Sequence, residues 1–398
     1  MVSKERHLSI LLPRASEPPA LGLSPGQQDE LESTLAQATG TVFPAASCVV
    51  VSRGQVVFQR AYGWLDPEDR QEVAGPDSIF DLASLTKLFV TTAFMTLVEE
   101  GQVRLDQPVS TVIPDFTGLR PIQAYDDPLQ PGQMVQVVPP TNQPTDAGQV
   151  TFWHLMTHTS GLPAWRRLFD LGTREAIVAA VVGTYFSYPV GTRVLYSDLG
   201  LILLGLAMEE LSGEPLPVFV RKAVLEPLGL GETTYNPPEA LLPRVAPTEF
   251  CAWRQRRLRG EVHDENAAAM GGVSGHAGLF STAQEVAALG QLYLEGGQLG
   301  PVRLLRGGTV SEMVREQAAS HGERRGLGWM LRSPEGSSCG RYFCPHSYGH
   351  TGFTGTSLWV EPQRELVVAL LTNRVYYGRD NAQRMLMVRQ KVHEAVSR

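Results

Sequence analysis

Ser84-Leu85-Thr86-Lys87 places a hydroxyl and an amine three residues apart. Residues i and i+3 of a helix share a face, so Lys87 stands where it could take the proton of Ser84. Lysine is scarce in this chain, occurring at Lys4, Lys87, Lys222 and Lys391. An accidental Ser-x-x-Lys is therefore expected only about 0.2 times. A serine hydroxyl is a poor nucleophile until a base removes its proton and donors stabilise the oxyanion formed on attack. A second candidate group is Tyr196-Ser197-Asp198, just ahead of an apolar helical run from Leu199 to Leu211. Tyrosine can shuttle a proton when a neighbouring ammonium lowers its pKa. A third is His350-Thr351-Gly352, followed by Phe353-Thr354-Gly355-Thr356 and a strand pattern. Its glycines let backbone approach a ligand closely, as an edge strand lining a cleft requires.

Other residues with chemical potential read as structural. His154 and His158 have the i, i+4 spacing of a zinc pair, but the Glu of His-Glu-x-x-His is missing between them. His263-Asp264-Glu265-Asn266 and His276 form a polar group beside Gly271, Gly272 and Gly275. Loop bracing is the favoured reading there, ahead of substrate contact. Arg254, Arg256, Arg257 and Arg259 are expected to cap an exposed hairpin. No Gly-x-Ser-x-Gly elbow, Walker A loop, Rossmann glycine pattern or EF-hand loop occurs. No nucleotide, metal or other cofactor has sequence support. Cys48, Cys251, Cys339 and Cys344 are too few for a disulfide framework and are expected as free thiols.

The elements that must position these groups follow from periodicity. Leu31 and Leu35 mark an amphipathic helix over 27–38. A hairpin is expected from Ala46–Ser52 and Gln55–Tyr62 around Arg53-Gly54, and a largely buried helix from Leu85 to Glu100. Residues 117–149 turn to Pro, Gln, Asp and Asn, which fits either a linker or a loop lining the substrate. Helices dominate from Thr151 to Leu211, and strands return at Leu327–Leu331, Ser357–Glu361 and Glu365–Leu371 before a closing helix over 380–396. Strands at both ends with helices between predict an α+β fold whose antiparallel sheet is built from both chain termini and flanked by helices. The expected division is an α/β lobe of 27–115 plus 281–398, an inserted mostly α lobe of 116–280, and an N-terminal extension of 1–26.

A chain of 398 residues, 43% hydrophobic, can bury a large core. Its net charge of -7 gives no attraction to nucleic acid or to an anionic membrane surface. The apolar run Leu8–Leu12 ends at Pro13 and is too short for a secretory segment, so a cytoplasmic protein without membrane partners is expected. The oligomeric state is open.

Ser-x-x-Lys, Tyr-Ser-Asp and His-Thr-Gly, in that order, resemble the serine β-lactamase and D,D-peptidase superfamily, above all its class C branch of esterases and low-molecular-mass penicillin-binding proteins. Phe80 to Lys87, Leu155 to Pro163 and Gly275 to Ser281 also look like that branch. The resemblance implies a β-lactamase/transpeptidase-like fold with the site in a cleft between two lobes. It further implies Ser84 as acylated nucleophile, Lys87 and Tyr196 as the base pair, and the N–H groups of Ser84 and Phe353 as the oxyanion hole. Asp198, His350, Thr351 and Gly352 would bind substrate. Two departures bear on substrate choice. His350 replaces the usual lysine, which weakens an anchor for a substrate carboxylate, and Asp198 replaces asparagine, which adds negative charge and favours the Lys87 ammonium. The expected activity is cofactor-independent hydrolysis of small esters, amides or peptides, with a carboxylesterase-like enzyme first. The alternatives are a D,D-carboxypeptidase, a β-lactamase or penicillin-binding protein, and a non-catalytic sensor of penicillin or peptide.

Overall fold

The computed structural model describes residues 12–13, 22–130, 132–138 and 143–398. Most of the N-terminal extension, including Leu8 to Leu11 of its apolar run, lies outside the described residues. Along the chain come α1 (Pro25–Ala38), β1 (Ala45–Ser52), β2 (Gln55–Gly63), β3 (Phe80–Asp81) and α2 (Thr86–Glu99). The middle third supplies α3 (Phe152–Met156), α4 (Arg174–Val182), α5 (Asp198–Ser212) and β4 (Thr234–Tyr235). Then follow β5 (Leu279–Ser281), α6 (Ala283–Leu294), β6 (Ala318–Ser320), β7 (Glu323–Arg325) and β8 (Met330–Leu331). The chain closes with β9 (Tyr348–Thr351), β10 (Ser357–Glu361), β11 (Leu366–Thr372) and α7 (Ala382–Ser397).

Eight strands form one antiparallel sheet in the order β6-β7-β8-β9-β10-β11-β1-β2, joining the two halves of the sequence where β1 pairs with β11. Every residue of β1 is buried, because the sheet is covered on both faces. Side chains alternate across a strand, so Val49 and Val51 enter the core beneath α6, while Ala46, Cys48 and Val50 meet α1 and α7. On the outer layer, Ser24 and Gln27 close a reciprocal capping box at the start of α1, and Leu31 and Leu35 anchor the helix. All four cysteines are free and buried. Among the described residues no helix is long and apolar enough to cross a membrane.

Three elements differ from the expectation. The strand expected over Leu327–Leu331 is reduced to β8, because Gly328 adopts φ +78° and Gly326 N–H turns back to the Trp329 carbonyl. The sequence reading missed β6 and β7, whose charged Glu323-Arg324-Arg325 hides a strand. Finally, β9 is not a free edge along its whole length. β8 pairs with Tyr348 and Gly349, and the strand is open on that side only from His350 onward.

A second, three-stranded sheet of β3, β5 and β4 lies at the entrance to α2 and ties it to the loop 272–278. That loop crosses α5 at very close range, since a Cβ on Gly275 would come within 2.1 Å of the Leu201 carbonyl. The segment 117–149 forms two short ladders, Leu119–Arg120 with Thr145–Asp146 and Tyr125–Asp126 with Met134–Val135.

Candidate active site

Ser84 sits in a single 3-10 turn, Ala83–Leu85, that feeds directly into α2. The turn is held in an uncommon backbone geometry. Ala83 has φ +46°, a left-handed conformation that costs a non-glycine residue roughly 1–2 kcal/mol. Its N–H is held by Asp81 Oδ1 at 2.8 Å, and Asp81 Oδ2 accepts from His263 N–H at 2.6 Å. Burial pushes the Asp81 carboxyl above its ordinary pKa, with these two N–H groups opposing the shift.

The first turn of α2 aims Lys87 at the same point. Lys87 is 1% exposed. Nζ donates to Ser84 Oγ at 2.9 Å and to the His276 carbonyl at 2.9 Å, and lies 2.8 Å from Asp198 Oδ1. Burial disfavours its charge, but Asp198 and Tyr196 outweigh burial and raise the Lys87 pKa. A positive side chain at a helix N-terminus also opposes the helix dipole, which makes the Asp198 carboxylate the more necessary.

Tyr196 and Asp198 arrive together because Ser197 caps α5. Ser197 Oγ accepts from Gly200 N–H at 3.3 Å and donates to the Pro163 carbonyl at 2.6 Å. The residues on either side of the cap then face α2. Tyr196 OH donates to Ser84 Oγ at 2.8 Å. Burial raises the Tyr196 pKa against the lowering pull of Lys87, so the phenol is the resting form. Ser84 Oγ thus rests between two donors, and one of them must first lose a proton before the hydroxyl can give up its own.

The turn after β9 meets Ser84 from the other side. Gly352 N–H bonds to the Thr356 carbonyl at 2.8 Å, Thr354 Oγ1 to the Asp81 carbonyl at 2.7 Å, and Thr356 Oγ1 to the Leu82 carbonyl at 2.9 Å. Arg389 of α7 donates to the carbonyls of Gly352 and Thr356 at 2.9 and 2.8 Å. A Cβ on Gly352 would lie 2.5 Å from the Leu82 carbonyl, so only glycine lets the two backbones pack. Phe353 N–H has no partner among the described residues.

These groups open into a cavity of about 770 Å³ whose lining includes Ser84, Tyr196, Asp198 and Phe353. His350, Thr351 and Gly352 are not part of its lining. His350 is buried, with Nδ1 against the Thr351 carbonyl at 2.9 Å, and burial together with Lys87 and Arg325 holds its pKa well below the ordinary value. His158, likewise kept neutral by burial and by Arg325 and Lys87, accepts Ser197 N–H through Nδ1 at 3.1 Å. His154 caps its own helix through Thr151.

Sequence reasoning left open whether segment 117–149 lines the site and missed the aromatic side chains beside it. The segment 117–149 reaches the cavity through Asp126, Asp127 and Leu129, while Trp165, Phe169 and Trp253 form an aromatic wall. Of the polar cluster, His276 braces Asp264 and Ser274 at 2.9 and 2.8 Å while its carbonyl holds Lys87. Ligand atoms of Asp198, Asp264 and His276 lie within 4.8 Å of one another. The Asp198 carboxylate faces Lys87, and that of Asp264 faces the His276 ring. The only available signal for these groups was loop composition, which does not say which way a loop folds.

Known proteins bear on this arrangement. The Beta-lactamase family model matches residues 31–390. Proteins from Salmonella typhi and Salmonella agona (strain SL483), each called "Putative D-alanyl-D-alanine carboxypeptidase", are 28% identical over 391 residues, which span 90% of this chain and 85% of theirs. In structure the chain is similar to EstCE1, "a hydrolase with promiscuous acyltransferase activity", at 21% identity and TM-score 0.70, covering 94% of this chain and 99% of that one. A penicillin-binding protein homologue from Caulobacter crescentus gives 20% identity and TM-score 0.70, with the same coverage of 94% and 99%. The fold with its eight-stranded sheet and the family match over nearly the whole chain lead to one conclusion: the chain belongs to the beta-lactamase family and is a serine hydrolase.

Proposed function

We propose that this chain hydrolyses uncharged carboxylic esters through an acyl-enzyme on Ser84, in the manner of the class C branch. The observation that carries the reading is Ser84 Oγ held at 2.9 Å from Lys87 Nζ and 2.8 Å from Tyr196 OH on the wall of the cavity. In the reaction, Tyr196 as phenolate takes the Ser84 proton while the Lys87 ammonium steadies the negative charge. Ser84 Oγ bonds to the ester carbonyl carbon, and the oxyanion is met by the N–H groups of Ser84 and Phe353. Collapse breaks the bond to the alcohol, which leaves with the proton from Tyr196. Water, oriented by Tyr196, then attacks the Ser84 ester and releases the acid.

The charge of the walls supports a substrate without a carboxylate. The lining holds Asp126, Asp127, Asp198, Glu249, Asp264 and Glu265. Its two guanidiniums are already paired, Arg167 with Asp170 and Arg379 with Glu249 and Glu265. An anionic substrate would meet carboxylates and no unpaired guanidinium among the described lining residues. The relatives' name favours a second reading, a D,D-carboxypeptidase, which must recognise a terminal carboxylate.

A short-chain nitrophenyl ester, penicillin and a D-Ala-D-Ala peptide, compared by turnover and intact mass, separate these readings. Ester turnover with an acyl adduct, both abolished in Ser84→Ala, is the expected result. Faster release of D-alanine than of nitrophenol would replace the ester reading with the peptidase, and wild-type turnover by Ser84→Ala would remove Ser84 from the mechanism.

A further inference from the structure

Arg325, at the end of β7, is a buried cation with little to balance it. It is 4% exposed, and its one ion pair among the described residues runs from Nη2 to Glu323 Oε2 at 2.9 Å. Glu323 is half exposed, so water screens much of that attraction. The remaining nitrogens, Nε and Nη1, are buried without a hydrogen-bond partner among the described residues. Leaving a guanidinium so placed is costly unless another group answers its charge. Its Cζ lies 5.2 Å from the centroid of the Tyr196 ring, within range of a cation–π contact. Lys87 Nζ lies 4.9 Å from the same centroid.

We propose that Arg325 is a positioning residue for the Ser84 reaction: it supplies the second positive charge beside Tyr196 and so stabilises the phenolate that accepts the Ser84 proton. The proposal rests on the serine-hydrolase reading above. The charged and titratable neighbours of Tyr196 are few. Lys87 from α2 and Arg325 from β7 are positive, and Asp198 from α5 is negative. His158, after α3, and His350, on β9, have rings 4.7 and 5.9 Å from the Tyr196 ring. Both are kept neutral by burial with help from Arg325 and Lys87. Without Arg325, one ammonium faces both the Asp198 carboxylate and the burial that opposes the phenolate.

The test is the pH dependence of kcat/KM on a nitrophenyl ester for wild type, Arg325→Met, Arg325→Gln and Arg325→Lys, each with its thermal midpoint. Losing the cation is expected to move the rise of activity with pH upward by about one unit, which is about a tenfold loss at neutral pH that vanishes at high pH. Lysine restores most of the activity and most of the profile. In a Tyr196→Phe background, Arg325→Met costs nothing further. A loss of equal size at every pH, a profile unchanged in either neutral variant, or additive losses with Tyr196→Phe would overturn the proposal. Should Arg325→Met fail to fold, Arg325→Gln carries the same comparison. Failure of the underlying reading is seen separately, as wild-type protein that turns over the ester without an acyl adduct on Ser84.

Discussion

Asp198 is the residue on which the charge of the site turns. It lies 2.8 Å from Lys87 Nζ and is the only carboxylate in contact with that ammonium among the described residues. Its negative charge raises the pKa of both Lys87 and Tyr196. The sign of Asp198→Asn follows directly: with the carboxylate gone, the ammonium and the phenol each lose a proton at lower pH. The two groups share a proton balance, so the profile belongs to the pair. The whole active window of kcat/KM is expected to move toward lower pH by about one unit, since one nearby charge is worth roughly that much. A profile that stays in place, or moves upward, would show that Asp198 does not control the pair. Arg325→Met is expected to move the rise in the opposite direction, so the two variants together bracket the electrostatics of Tyr196.

At the scale of elements, the site is assembled where three backbones pass one another. The turn after β9 leans on β3 and Leu82 through Thr354 and Thr356, and α7 holds it from behind through Arg389. Gly352 sets the spacing, because any Cβ there would meet the Leu82 carbonyl and Thr356 Oγ1. Gly352→Ala must therefore push the turn away from the Ser84 turn. If Ser84 and Phe353 N–H groups form the oxyanion hole, kcat on the nitrophenyl ester falls by about 10²–10³, the usual effect of losing one such donor. The check is that KM changes much less than kcat. Equal changes in both would place the damage in substrate binding.

For the whole molecule, ion pairs beside the cavity tie Glu249 and Glu265 to Arg379, in the segment before α7. Glu249 contacts Arg379 and lies 3.3 Å from His263 Nε2. Burial works against its charge, yet His263 and Arg379 prevail and hold its pKa at about 2, against an ordinary value of 4.5. A carboxylate depressed in the folded state stabilises fully above its unfolded pKa and loses that stabilisation as pH falls. Urea unfolding should therefore show stability dropping as pH goes from about 4.5 toward 2, with this one group contributing on the order of 2–3 kcal/mol. Glu249→Gln is expected to be less stable at neutral pH and to flatten the decline. An identical decline in wild type and Glu249→Gln would assign acid sensitivity to other groups.

What the sequence determined by itself is short-range. The i, i+3 relation of Ser84 and Lys87 needs only a helical turn, and Ser197 announces the start of α5 by its capping chemistry. Small and β-branched residues gave β1, a strand-like run gave β10, and the amphipathic pattern gave α1, because composition and period are local properties of a chain. The charge of Asp198 was legible as a perturbation near Lys87. Only the tertiary structure decided which side chains face the cavity. His350 stands in a motif that suggested contact with substrate, yet its side chain is buried and lies outside the cavity lining. Arg325 carried no motif and sat in a charged run that concealed its strand, yet the sheet places it beside Tyr196. The carbonyl of His276 joins Lys87 only because Gly275 lets the loop press against α5. The contacts of Lys87 with His276 and of Tyr196 with Arg325 each link residues more than a hundred positions apart, and their geometry is set by close packing between elements, which no local pattern encodes.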